Sequence, residues 1–145
     1  NDVTKLDSLN MTTVEIGGAL SSFGETKDFR GETFLPVARQ TMLGLSVDDF
    51  MAYFSPPHPN HIKVDVDGIE GKIIEGASRT LADKRLKSVL IELDESRTDE
   101  LKKVSGLLSN YGLSLQNRRH SKLVEQSEFA TSYNYLFTRE DRQAT

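Results

Sequence analysis

Between residues 61 and 67 apolar and charged side chains alternate, with Ile62, Val64 and Val66 interleaved with Lys63, Asp65 and Asp67. Strand side chains point to opposite faces with a period of two, so this spacing predicts a β-strand. Gly68 follows at once, and Ile69, Ile73, Ile74 and Ala77 then recur at helical spacing. A strand that opens through Asp-Gly into a helix is the first half of a βαβ unit. Gly76 interrupts the helix, and Leu81 and Leu86 lead into Ser88-Val89-Leu90-Ile91-Glu92-Leu93. That nearly unbroken apolar run predicts a central parallel strand buried on both faces. The next helix is marked by Ser96 and Asp99 at capping-box spacing and by the stripe Leu101, Val104, Leu107, Leu108 and Tyr111. Gly112 stands where a left-handed C-cap is wanted. Two further strands are predicted over 113–117 and 132–138, joined by a polar stretch.

Upstream the pattern is less regular. Short apolar stretches at 13–16, 19–23 and 34–38 are separated by Gly17-Gly18, Gly24 and Gly31, which predicts irregular hairpins. Ser46 is placed to cap a short helix with Asp48 and Asp49 in its first turn and Val47, Phe50, Met51 and Phe54 as its apolar face. Pro56, Pro57 and Pro59 end it. The order of elements predicts one α/β domain with a one-sided sheet. Residues 1–45 are its hairpin-rich N-terminal segment and residues 46–145 its α/β part.

Composition narrows the function. A chain of 145 residues, 37% hydrophobic and 28% charged, fits one soluble domain. Its 18 basic and 22 acidic side chains leave a net charge of −4, so neither nucleic acid nor an anionic membrane is an expected partner. Arg118, Arg119, His120 and Lys122 form the only basic cluster and read as a solvated hairpin tip. The absence of cysteine excludes disulfides, thiolate nucleophiles and Cys-based zinc sites. No apolar run is long enough to cross a bilayer, and a cytoplasmic location is expected. The chain starts at Asn1 rather than Met, so it is expected to be part of a longer reading frame.

Ligands of open parallel sheets bind at the carboxyl ends of the strands. That rule singles out Asp65, Asp67 and Glu70 after the first strand, and Glu92, Asp94 and Glu95 after the second. Carboxylates there can accept hydrogen bonds from substrate hydroxyls, take a proton, or hold a hard cation. Equally, Asp67 could cap the following helix while Glu92 and Glu95 face water. Lys63 is expected to snorkel or to pair with Asp65. His58 and His61 are spaced as a pair, but Pro57 and Pro59 around His58 disfavour helical ligand geometry, and no metal site is expected. No nucleophile elbow, Walker loop or dinucleotide fingerprint is present. The two glycines of Gly68-Ile69-Glu70-Gly71 match no nucleotide loop.

The segment 61–70, followed by Ile73-Ile74-Glu75-Gly76-Ala77, resembles the strand-turn-helix hallmark of the FkbM-type methyltransferase family. Leu45-Ser46-Val47-Asp48-Asp49-Phe50 resembles the segment before that strand. Ser88-Val89-Leu90-Ile91-Glu92 is similar to the family's next strand, and Asn134-Tyr135-Leu136-Phe137-Thr138-Arg139 to its closing strand. The resemblance runs from about Leu45 to Arg139, and more loosely over residues 17–24. It implies a Rossmann-like class I fold and S-adenosylmethionine as cofactor. The acceptor it implies is a hydroxyl of a sugar, glycan or secondary metabolite. Asp65 and Asp67 are then the catalytic candidates, as base or hydroxyl-orienting groups, and Glu70 and Glu92 the substrate-binding ones. Where the family carries Glu, Asp67 is shorter by one methylene.

The family's Gly-rich cofactor loop and the strand bearing its ribose-binding acid have no counterpart here. The chain is therefore expected to be the later half of the mixed sheet with its flanking helices, a fragment of a longer domain, with its cofactor-binding residues unassigned. Strand 62–66 becomes an edge, which predicts self-association, marginal stability or pairing with an upstream segment. Two other classes stay open: a non-catalytic α/β interaction module or partial methyltransferase subunit, and a different α/β enzyme using its acidic strand ends with a divalent cation.

Overall fold

The strand-turn-helix unit that carries the sequence pattern forms, and it pairs in parallel with the apolar strand that follows. The computed structural model describes residues 2–14, 20–28, 30–120, 126–127 and 129–139. Its elements are β1 (Lys5–Met11), β2 (Ser22–Phe23), β3 (Ala38–Gly44), α1 (Val47–Phe54), β4 (His61–Val64), α2 (Glu70–Glu75), α3 (Ser78–Ala82), β5 (Ser88–Asp94), α4 (Thr98–Asn110), β6 (Leu113–Arg119) and β7 (Ser132–Arg139).

The main sheet has the order β4-β5-β7-β6. β4 and β5 are parallel from His61↔Ser88 to Val64↔Ile91, and β7 is antiparallel to both β5 and β6. Among the described residues β4 has no partner beyond β5 and stands at the edge of the sheet, where the family resemblance led it to be expected. The strand stops at Val64, and Val66 beyond it is 38% exposed.

The core lies on one face of this sheet. Val64, Val89, Ile91, Leu93, Tyr135 and Phe137 pack there against Ile74 of α2, Leu81 of α3, and Val104 and Leu108 of α4. Burial of a large aliphatic side chain stabilises by about 1.5–3 kcal/mol, so these few residues hold the unit together. β5 is central, but the burial on both faces that its apolarity predicted is not realised. Val89, Ile91 and Leu93 are buried while Leu90 and Glu92 are half-buried, because α2 and α4 cover one face only.

Residues 1–45 differ from the sequence reading in where their strands lie. β1 and β3 pair antiparallel over seven positions, Lys5↔Gly44 to Met11↔Ala38, with the two-residue β2 on the other side of β1. The stretch at 34–38 reaches a strand only at Ala38, and Gly17-Gly18 lies outside the described residues. This small sheet buries little: Leu6 and Leu43 face each other yet both are exposed. Without a buried face there is no alternation to read.

Two helix ends also correct the sequence reading. Ser46 caps α1 as expected, its Oγ accepting the Asp49 N–H at 3.1 Å. The apolar face of α1 is buried only in part, however: Val47 packs against the core, whereas Phe54 is 63% exposed and rests on Phe50, ring to ring at 5.1 Å. Ser96 does not cap α4. Its N–H is taken by Asp94 Oδ1 at 2.8 Å, so the turn closes first and the helix starts at Thr98. Gly112, by contrast, has φ +76° and fills the left-handed position after α4. Asp48, expected merely to favour the dipole of α1, is buried and caps a different helix. It accepts the N–H groups of Arg79 and Thr80 and the hydroxyls of Ser78 and Thr80. Burial alone would raise its pKa, but those donors outweigh burial and lower it.

Candidate functional site

Because β4 and β5 run in parallel, their carboxyl ends open on the same side of the sheet, and a narrow polar cleft forms there. Asp65 and Asp67 come from the turn after β4 and Glu70 from the first residue of α2. Glu92 and Asp94 come from the end of β5, and Arg97 and Glu100 from the start of α4. Phe129 and Ser132 close the wall beside β7. All four residues singled out as catalytic or substrate-binding therefore line one cleft.

Their environments separate them. Asp65 is exposed and ion-paired with Lys63 at 2.5 Å, and that hydrogen bond holds the Lys63 ammonium above its usual pKa. Asp67 is half-buried; it does not cap α2 but accepts the Leu20 N–H at 2.9 Å. Burial raises its pKa, opposed by the Leu20 donor and helped by the charge of Asp65. Glu92 is half-buried rather than facing water. It accepts a hydrogen bond from Asn134 Nδ2 at 3.2 Å, and burial and the nearby Asp65 raise its pKa. Asp94 turns one oxygen to the Ser96 N–H, while Oδ2 is buried with no partner among the described residues. Glu95 leaves the cleft altogether, accepting from the Tyr135 hydroxyl at 2.6 Å and Arg118 Nε at 2.5 Å.

Glu70 is the most perturbed of the set. It is 5% exposed, accepts the Gly68 N–H at 3.1 Å, and has the Arg97 guanidinium 4.0 Å away. Burial pushes its pKa up to about 7, against the pull of the Gly68 donor and Arg97. A carboxyl whose folded pKa is raised binds its proton more tightly in the fold, so its contribution is complete below the unfolded value near 4.5 and is lost as pH rises to about 7. Urea unfolding is expected to show stability falling by about 3 kcal/mol over that window, and Glu70→Gln to flatten the slope. An equal slope in the variant would refute the assignment.

The remaining sequence candidates lie elsewhere. His58 Nδ1 meets the Pro59 carbonyl at 2.9 Å and its Nε2 lies 3.5 Å from Asp83, whereas His61 Nδ1 meets Ser88 Oγ at 2.8 Å. Among the described residues no three His, Asp or Glu side chains are grouped to hold a metal ion. Arg118 is tied to Glu95 and lies over the Tyr133 ring at 3.8 Å, while Lys122 falls outside the described residues. No helix of the described residues is long and apolar enough to cross a membrane. Arg97, Glu100, Phe129 and Ser132 were not singled out from the sequence. The carboxyl-end rule applied to the residues after β5 reaches the first two, and no sequence signal marks the others.

The cleft can accept hydrogen bonds from a polyhydroxyl ligand and take up a proton, and its carboxylates suit a positively charged neighbour. Its enclosed space is about 40 Å³, room for a water or two. The fold is a mixed α/β unit with carboxylates converging at the ends of two parallel strands. The family model for the methyltransferase FkbM domain matches residues 7–132, and the chain belongs to that family. No curated protein and no solved structure matches the chain.

Proposed function

We propose that this chain forms the acceptor side of a cytoplasmic, S-adenosylmethionine-dependent O-methyltransferase acting on a hydroxyl of a sugar, glycan or secondary metabolite. The observation that carries the reading is the convergence of Asp65, Asp67, Glu70 and Glu92 on one cleft at the ends of adjacent parallel strands. The sheet order, with antiparallel β7 between β5 and β6, is compatible with the later half of a Rossmann-like sheet. When bound, the cofactor supplies an activated methyl group on a sulfonium. Such a cation suits a cleft lined by carboxylates. Asp67 takes the proton of the acceptor hydroxyl, Glu92 orients that hydroxyl from the neighbouring strand, and Asp65, pinned by Lys63, marks the mouth.

The test is methyl transfer from labelled S-adenosylmethionine by the full-length protein, offered neutral sugars and hydroxylated aglycones with and without their target hydroxyl. Transfer only where the hydroxyl is present is expected; transfer to amine or carboxylate alone would overturn the reading. The open edge of β4 carries a second expectation, since an unpaired ladder of backbone groups attracts another strand. Sedimentation of the 145-residue chain is expected to show association, and a compact monomer counts against it.

A further inference from the structure

We propose that the first turn of α4 is the positioning element of the site, with Arg97 and Glu100 holding the turn of residues 67–71 and thereby the Asp67 carboxylate. The proposal rests on the methyltransferase reading for its consequence, though not for its geometry. α2 begins without the usual help: Ile69 occupies its cap position and no side chain caps it from there. The first N–H groups of a helix need outside acceptors, and α4 provides one. Gly71 N–H donates to Glu100 Oε1 at 2.9 Å. Arg97 Nη1 donates to the Gly68 carbonyl at 3.1 Å, and the same guanidinium lies 4.0 Å from Glu70 Oε2. The turn is thus held at Gly68 by the N-cap residue of α4 and at Gly71 by a residue of its first turn.

The two glycines, which fit no nucleotide loop, acquire a reason. Gly68 has φ +100°, a conformation that disfavours other residues. At Gly71 a Cβ would lie 2.2 Å from Glu100 Oε1, so the bare backbone is what lets the carboxylate reach the amide. The anchor itself is firm. α4 starts directly after β5 and sets Val104 and Leu108 into the core. Asp67 is one residue from the clamped Gly68, so its placement follows that of α4. A misplacement near 1 Å at a reacting group costs roughly 100-fold in rate.

Three variants of the full-length protein test this: Glu100→Ala, Glu100→Gln and Gly71→Ala. Glu100→Ala removes the acceptor, Glu100→Gln keeps an oxygen for it, and the Gly71→Ala methyl displaces only the flexible end of the Glu100 side chain. In Glu100→Ala, hydrogen exchange at the Gly71 amide is expected to quicken about tenfold or more while Val89 and Ile91 stay protected. Turnover is expected to fall roughly 10- to 100-fold in Glu100→Ala and Gly71→Ala with acceptor KM nearly constant, and Glu100→Gln to recover most of both. Unchanged exchange at Gly71 would overturn the clamp. Faster exchange with undiminished turnover would overturn its positioning role. A wild-type protein that transfers no methyl group would defeat the proposed function instead. The clamp would then stand or fall on the exchange difference between Glu100→Ala and Glu100→Gln. Should Glu100→Ala not fold, Gly71→Ala against Glu100→Gln decides by the same measurements.

Discussion

Asp67→Asn is expected to lower methyl-transfer turnover by roughly 10²–10⁴-fold, the usual contribution of a positioned general base, whereas Asp65→Asn should cost about tenfold or less. Both side chains stand at the mouth of the cleft, but only one is suited to take a proton. Asp65 is exposed and already committed to Lys63 at 2.5 Å, so its charge is offset before any substrate arrives. Asp67 is half-buried, and burial together with the charge of Asp65 raises its proton affinity. A higher proton affinity is what a base working near neutrality needs. The Asn variant is a clean test because its amide oxygen can still accept the Leu20 N–H that holds the side chain in place. Geometry is kept while the ability to accept a proton is lost. The measurement is kcat and KM for the acceptor in the full-length protein, with cofactor affinity determined separately. Full turnover in both variants would remove the acidic mouth from the mechanism.

How far the fold could be read from sequence depended on burial. β4, β5 and the stripe of α4 pack on one core, and there the periodicity of apolar residues named element and direction. Gly112 marked its helix end because positive φ is a local property, legible from one residue. The β1–β3 pair escaped because Leu6, Met42 and Leu43 lie exposed, so nothing in the chain records which face is inward. Ser96 misled for a local reason, since Asp94 two residues earlier competes for its N–H and wins. Asp48 misled for a distant one: its ligands lie 30–32 residues away, and no spacing rule connects them.

The same division runs through the site. Asp65, Asp67, Glu70 and Glu92 could be singled out because the topology of parallel strands tells where a cleft must open. Their ranking could not, since it depends on Lys63 neutralising one aspartate and on a backbone N–H from Leu20 reaching the other across 47 residues. Nor could the near-neutral pKa of Glu70, which follows from burial, and burial is set by packing against α4.

Arg139→Ala is expected to have the largest effect on stability, a loss of about 2–4 kcal/mol, because one guanidinium closes three chain segments at once. Its Nε donates to the Leu86 carbonyl at 2.9 Å, Nη1 to Tyr111 and Nη2 to Leu81, with no carboxylate among these partners. Leu81 belongs to α3 and Tyr111 is the C-cap of α4, and the last carbonyls of a helix have no partner of their own. Leu86 leads into β5, and the Arg139 backbone N–H adds a bond to Lys87 at 3.0 Å. Removing the guanidinium leaves partly buried carbonyls unsatisfied, which costs more than the bonds themselves contribute. Arg139→Lys should recover less than half, since a compact ammonium lacks the planar fork that spans these acceptors. The checks are urea midpoints with an unchanged slope, and a Tm lowered by roughly 5–15 °C. A change within about 0.5 kcal/mol would show the fork to be dispensable. Arg139 follows Thr138, the partner of Ser88, and so lies at the N-terminal start of β5, whereas the cleft is built at the opposite end of that strand. The folded fraction of Arg139→Ala should therefore keep the wild-type exchange rate at Gly71, separating what holds the sheet together from what aims its carboxylates.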